Sequence, residues 1–145
     1  GIDHGVRTFA DIWDNILFTG YINETKLVEF LASADIYIST SLSDGSSVSL
    51  MEAMASGLPA IVTDVGSNRE WIKDGVNGYI TPKRESLQLS TRIIHLIRNL
   101  RLRESMGSRN REVIRKRGDM NKNFESLEEH YFRLMDRSNR NKGIS

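Results

Sequence analysis

The chain has 145 residues, 39% of them hydrophobic and 27% charged, with a formal net charge of +1 and no cysteine. That length allows one domain with a sizeable core, the composition is that of an ordinary soluble globular protein, and disulfides and thiolate metal sites are excluded. No apolar run approaches the ~20 residues of a membrane span and no signal peptide is present, which together point to the cytoplasm. The chain begins Gly1-Ile2-Asp3 without Met, as a fragment or a processed product would.

In chain order, Ile16–Thr19 reads as a first strand because Ile, Leu and Phe follow one another. Glu24–Ala34 places Leu27, Phe30 and Leu31 at helical spacing, with Asn23 or Thr25 as its cap. Asp35–Ser39 is a second strand. After a small-residue loop, Val48, Met51, Ala55 and Leu58 make one apolar stripe of a short helix. Gly57 supplies a left-handed stop and Pro59 prevents continuation. Pro59–Thr63 is a third strand, Asn68–Lys73 a short helix with Trp71 and Ile72 inward, and Gly78–Thr81 a fourth strand. Strands separated by helices at this rhythm predict a mostly parallel sheet with helices on both faces. Beyond Pro82 the pattern is helical. Glu85–Leu100 carries Leu89, Ile93, Leu96, Ile97 and Leu100 on one face, and Leu102–Arg117 and Asn121–Asp136 follow. Residues 1–117 form the expected domain, 118–138 a C-terminal helix and 139–145 a frayed tail.

Charge is unevenly spread. Residues 1–95 hold seven basic and twelve acidic side chains, residues 96–145 thirteen and seven. The basic end is either a solvated helical surface or a peripheral contact with an anionic inner-membrane face.

The most informative stretch is Ser43-Asp44-Gly45-Ser46-Ser47-Val48-Ser49 and the helix that follows. Residues of these types turn the chain and leave backbone N–H groups free at a helix start, where orphan donors and the helix dipole favour an anion. Asp44 and Glu52 lie eight positions apart across the junction. Carboxylates flanking an anion cradle suit a ligand with both hydroxyls and phosphates, such as a nucleotide sugar. Local chemistry leaves another role open for each acid. Ser49-Leu50-Met51-Glu52 fits a capping box, and Asp44-Gly45 is an ordinary turn dipeptide. Gly66 and Ser67 are either a turn into the next helix or part of the ligand edge. Asp74-Gly75 and Asn77-Gly78 are turn signals. His4, His95 and His130 do not cluster, and there is no Asp-x-Asp, Gly-x-Gly-x-x-Gly or P-loop motif. Trp13 and Trp71 read as packing anchors.

This arrangement resembles the acid-x7-acid motif of group 1 (family 4) glycosyltransferases, enzymes of the two-domain GT-B type. Asp44, Gly45, Glu52, Ala53, Met54, Ala55, Gly57 and Pro59 stand at matching positions. The likeness extends over about residues 14–117, from Ile16–Gly20 and Ser33–Ser41 upstream to Asp64–Gly78 downstream. It departs at Asp44, where the family has Glu, and at Ser46-Ser47, where the family has Phe-Gly. Both changes bear on the choice of donor sugar.

The resemblance implies a Rossmann-like, doubly wound C-terminal half, with this chain missing the first two strands and the loop whose Arg and Lys hold the donor diphosphate. It implies a retaining transfer from a nucleotide-diphosphate sugar without a metal. It assigns Asp44 to the transferred sugar, Gly45, Ser46, Ser47, Val48 and Ser49 to the diphosphate and sugar, and Glu52 to the ribose. Tyr21, Ile22 and Gly66 follow as weaker donor contacts, and a glycan or lipid-linked acceptor would be bound by an N-terminal domain. On this reading the chain alone is inactive. The competing readings are a non-catalytic nucleotide-sugar binding module and a related GT-B enzyme, an epimerase or glycogen-type synthase.

Overall fold

The computed structural model describes residues 16–45 and 47–118. Ser46, the expected helix over Asn121–Asp136 with the tail 139–145, and Trp13, His4 and His130 lie outside them. The chain packs as two units, divided between Phe30 and Leu31. In the first, Ile16–Gly20 joins no strand, and Leu17 and Phe18 are exposed. The strand expected at Ile16–Thr19 is therefore absent: β-propensity yields a strand only where a neighbour accepts its hydrogen bonds, and no ladder includes these residues. Helix α1 (Glu24–Ser33) begins here. Its cap is Asn23, whose Oδ1 accepts from the Lys26 N–H at 2.9 Å. Leu27, Phe30 and Leu31 are its half-buried residues, the face that the spacing predicts.

The second unit is a three-stranded parallel sheet in the order β1-β2-β3, with β1 Tyr37–Ser39, β2 Ala60–Thr63 and β3 Gly78–Thr81. The register pairs Ile38 with Ile61 and Ile61 with Tyr79. Every residue of β2 and β3 is buried, as expected of parallel strands covered on both faces. One face packs Ala60, Val62 and Ile80 against Leu50 and Met54 of α2 (Val48–Ala55). The other packs Ile61 and Tyr79 against Leu96 of α4 (Ser86–Arg98) and Met106 of α5 (Leu100–Val113). This is the Rossmann-like α/β layering that the sequence predicts, with three strands rather than four among the described residues.

Two expected apolar faces are corrected. On α2 the buried residues are Leu50, Ala53 and Met54, while Val48 is 62% exposed. The helix carries apolar residues on several sides, so periodicity allows more than one stripe and the sheet selects one. On α4, Leu96 is buried and Leu89 and Ile93 pack beside it, but Ile97 and Leu100 are exposed. The helix ends at Arg98, where Asn99 turns the chain and its Nδ2 donates to the His95 carbonyl at 2.7 Å. Arg103 of α5 then donates to the Leu96 and Ile97 carbonyls, each at 2.7 Å, satisfying orphan acceptors of α4. Short α3 is Asn68–Trp71, and a π-helical turn over Ile114–Gly118 follows α5.

Two close fits hold α5 in place. A Cβ on Gly107 would lie 2.0 Å from the Gly57 carbonyl oxygen, so the helix backbone meets the α2–β2 turn directly. Asn110, with no exposed surface, donates from Nδ2 to the Leu58 carbonyl at 2.7 Å and the Asn77 carbonyl at 2.9 Å. Its Oδ1 accepts from Asn77 Nδ2 at 2.8 Å. The turn residues predicted at 74–78 have structural partners: Asp74 Oδ1 accepts from the Ile80 N–H and Asn77 Oδ1 from the Lys73 N–H. Among the described residues no helix is long and apolar enough to cross a membrane.

Candidate functional site

The three strands of the described residues run the same way, so their carboxyl ends share one edge and the segments 40–45, 64–67 and 82–85 gather there. This is the edge at which open parallel sheets bind ligands. The segment after β1 leads into α2, and the cap is Ser47, with φ −77° and ψ 98°. Its Oγ accepts from the Leu50 N–H at 3.4 Å and its carbonyl from the Met51 N–H at 3.2 Å. The amides of Val48 and Ser49 head the helix with no intrahelical acceptor. Ser49 Oγ lies 2.8 Å from the Tyr37 hydroxyl and 3.3 Å from Ser47 Oγ, a chain of hydroxyls running from β1 to the helix start.

Because Ser47 is the cap, Glu52 stands in the second turn, beyond the third-position residue of a capping box. The box read over Ser49–Glu52 does not form. Glu52 is exposed, and among the described residues its carboxylate makes no hydrogen bond or ion pair. Asp44, half-buried in the preceding turn, likewise has an unpartnered carboxylate. Gly45 and Val48 are exposed, and Ser47 is buried.

The second segment supports the first. Gly66 has φ +52°, and a Cβ there would sit 2.2 Å from the Asp44 carbonyl oxygen and 2.7 Å from that of Gly45. Ser67 donates to the Gly45 carbonyl from its N–H at 3.3 Å and from its Oγ at 3.1 Å. Thr63 at the end of β2 donates from Oγ1 to the Ser41 carbonyl at 2.5 Å. Asn68, 1% exposed, fastens its own segment by donating from Nδ2 to the Thr63 carbonyl at 2.9 Å. The structure thus brings Gly66 against the backbone of Asp44 and Gly45. Tyr21, 98% exposed, and half-buried Ile22 belong to the first unit. Tyr37, Thr63, Ser67 and Asn68 complete the scaffold. Of these the sequence points only to Ser67; it misses Tyr37, Thr63 and Asn68 because each acts on a residue distant in the chain or through a loop carbonyl.

Electrostatics at this edge are set by Asp64 and Arg69. The guanidinium donates to both carboxylate oxygens at 2.6 Å, and this hydrogen bond holds the Asp64 carboxyl below its ordinary range and raises Arg69. Away from the edge, the Lys116 ammonium lowers Glu112 in the same way. Trp71 packs against the α2-side core with the Arg117 guanidinium 5.2 Å from its ring, and His95 Nδ1 lies 2.8 Å from the Tyr79 hydroxyl. Among the described residues, no group of three or more His, Asp or Glu is placed to hold a metal ion.

The profile of the family described as glycosyl transferases group 1 matches residues 8–113. The chain is 30% identical over 104 residues to a phosphatidyl-myo-inositol mannosyltransferase of Mycobacterium leprae, covering 71% of this chain and 28% of that protein. It is 33% identical over 103 residues to an N-acetyl-alpha-D-glucosaminyl L-malate synthase of Bacillus anthracis, covering 71% and 26%. The chain therefore spans little more than a quarter of the length of either relative. Among solved structures, it superposes on a sucrose-phosphate synthase of Thermosynechococcus elongatus with a TM-score of 0.84 at 20% identity, over 92% of this chain and 33% of that one. The Anabaena protein HepE, solved in complex with UDP-glucose, gives a TM-score of 0.80 at 22% identity, over 88% and 35%. At these identities the likeness shows the fold.

Proposed function

Since the chain belongs to the group 1 glycosyl transferases, we propose that it forms the donor-binding wall of an enzyme that moves a sugar from a nucleoside-diphosphate sugar to an acceptor. One observation carries this reading: two carboxylates, Asp44 and Glu52, stand without a partner among the described residues on either side of a helix start at the sheet's carboxyl edge. A fold gains nothing from two unpartnered acids there, whereas a ligand rich in hydroxyls gains a charge-assisted acceptor from each.

In this proposal the amides of Val48 and Ser49 and the positive end of α2 face the donor diphosphate. They stabilise the charge that grows on it as the glycosidic bond breaks. Gly45 and Ser47 keep the backbone close to it, and Ser46 stands between them in the sequence. Glu52 accepts from the ribose hydroxyls and Asp44 from the transferred sugar. Gly66 supports this loop rather than touching the donor. Retention of anomeric configuration, an acceptor held by another part of the enzyme, and inactivity of residues 1–145 alone belong to the same proposal.

The test is Glu52→Gln in the intact enzyme, with calorimetric titration of UDP, GDP and ADP. The exposed, unpartnered side chain contributes little to folding, so the Tm is expected to stay unchanged. Affinity for the preferred nucleotide is expected to fall about tenfold, the worth of one charge-assisted hydrogen bond. Nucleotide affinity equal to the parent's would end the ribose assignment. Diphosphate stabilisation by backbone amides also leads us to expect transfer that survives excess chelator. Activity abolished by chelator and restored by manganese would instead put a metal in that role.

A further inference from the structure

The carboxyl edge holds a recess on the other side of the sheet from α2. It encloses about 350 Å³ and lies where the ends of β1, β2 and β3 meet the start of α4. The register explains its composition. Thr63 pairs with Thr81, and Thr40 stands one residue beyond the Ser39–Val62 pair, so three threonines form a row across the strand ends. Alternation places Thr63 and Thr81 on the face that packs Ile61 and Tyr79 against α4. Asp44 and Glu52 lie on or before α2, which covers the opposite face.

We propose that this recess binds a single neutral sugar unit, at a site separate from the donor cradle. Thr63 and Thr81 already donate their hydroxyl protons, to the Ser41 and Val62 carbonyls, which leaves oxygen lone pairs to accept from a ligand. Arg84 and Glu85 supply a planar donor and a carboxylate side by side on the rim, the pair of functions that vicinal hydroxyls engage together. Leu42 and Leu89 give the apolar surface that a sugar ring's C–H face covers. The volume lies at the small end of ligand sites, matching one ring rather than a nucleotide.

Arg84 adds an independent observation. It is the one non-glycine residue with positive φ among the described residues, at +62°. An L-residue held there stores strain of order 1 kcal/mol that glycine would relieve, and such strain concentrates at functional positions. Fold stability alone does not favour an arginine here, whereas recognition of a polar ligand does.

Arg84→Gly separates the two contributions. On the 145-residue chain, methyl resonances of Thr40, Leu42, Thr81 and Leu89 are followed by NMR during titration with glucose, mannose and N-acetylglucosamine. At least one sugar is expected to shift them, while UDP moves the Ser47–Glu52 amides instead. Arg84→Gly is expected to raise the Tm yet weaken the sugar response about tenfold. A methyl glycoside that binds as well as the free sugar identifies the end of a glycan chain, and binding of the free sugar alone a monosaccharide metabolite. The proposal falls if none of the three sugars shifts these methyls, if UDP shifts them too, or if Arg84→Gly responds like the parent. Because UDP is read out at different residues, loss of the UDP response would count against the donor reading and leave this one standing.

Discussion

Asn110→Leu is expected to be the most destabilising single substitution in the described residues. The exchange nearly keeps the volume but deletes an amide that makes three hydrogen bonds in a fully buried position. The Leu58 and Asn77 carbonyls lose their donor, and Asn77 Nδ2 keeps only its bond to the Trp71 carbonyl at 3.0 Å. Each buried polar group left unpaired costs about 1–3 kcal/mol, so a loss of roughly 3–5 kcal/mol is expected. Against typical domain stabilities of about 5–15 kcal/mol, that brings the protein to the margin of folding. Leu58 precedes β2 and Asn77 precedes β3, so the network fixes the amino ends of both strands against α5, far from the donor edge. Urea unfolding checks the expectation, and a loss below about 1 kcal/mol would mean that water replaces the amide without penalty.

Gly66→Ala carries the second large effect, at the site itself. The new Cβ would need a left-handed backbone and would overlap two backbone carbonyl oxygens, which cannot swing aside as a side chain can. The left-handed conformation alone costs about 1–2 kcal/mol for alanine, and the overlap forces the Asp44–Gly45 turn to move. A shift of about 1 Å in a positioning element costs on the order of a hundredfold in rate, so transfer by the intact enzyme is expected to fall by about that much with a lowered Tm. Gly45→Ala is the control. A Cβ at Gly45 meets nothing within 4 Å and its φ is not positive, so its Tm is expected to match the parent's. Parental Tm and nucleotide affinity in Gly66→Ala would show that the two loops touch without supporting each other.

The contrast between these glycines marks how far local sequence reaches. The motif draws attention to Gly45, but the backbone needs glycine at Gly66, because another loop lies against it. Nothing near Gly66 in the chain announces that approach, since Asp44 is twenty-two positions away.

What the sequence determined by itself follows from short-range chemistry. β3 forms at Gly78–Thr81 as predicted, because an apolar run bounded by Asn77-Gly78 and Pro82 has one way to be extended. The acids flank the start of α2 because Ser and Gly turn the chain there, and Gly57, with φ +82°, ends the helix before Pro59. The family resemblance rests on these same residues, so the group 1 match was legible from the chain. Tertiary structure decided the rest. α2 could have buried Val48, Met51 and Ala55, yet the sheet took Leu50, Ala53 and Met54, because an all-round apolar helix has no preferred face until it packs. Ile16–Thr19 has strand composition but no ladder, because a strand is a pair of hydrogen-bonding partners and a propensity supplies only one. Asn110 looks like a polar residue in a charged helix, and only the folded chain brings three backbone and side-chain groups to meet it in the dry interior, where each must be satisfied.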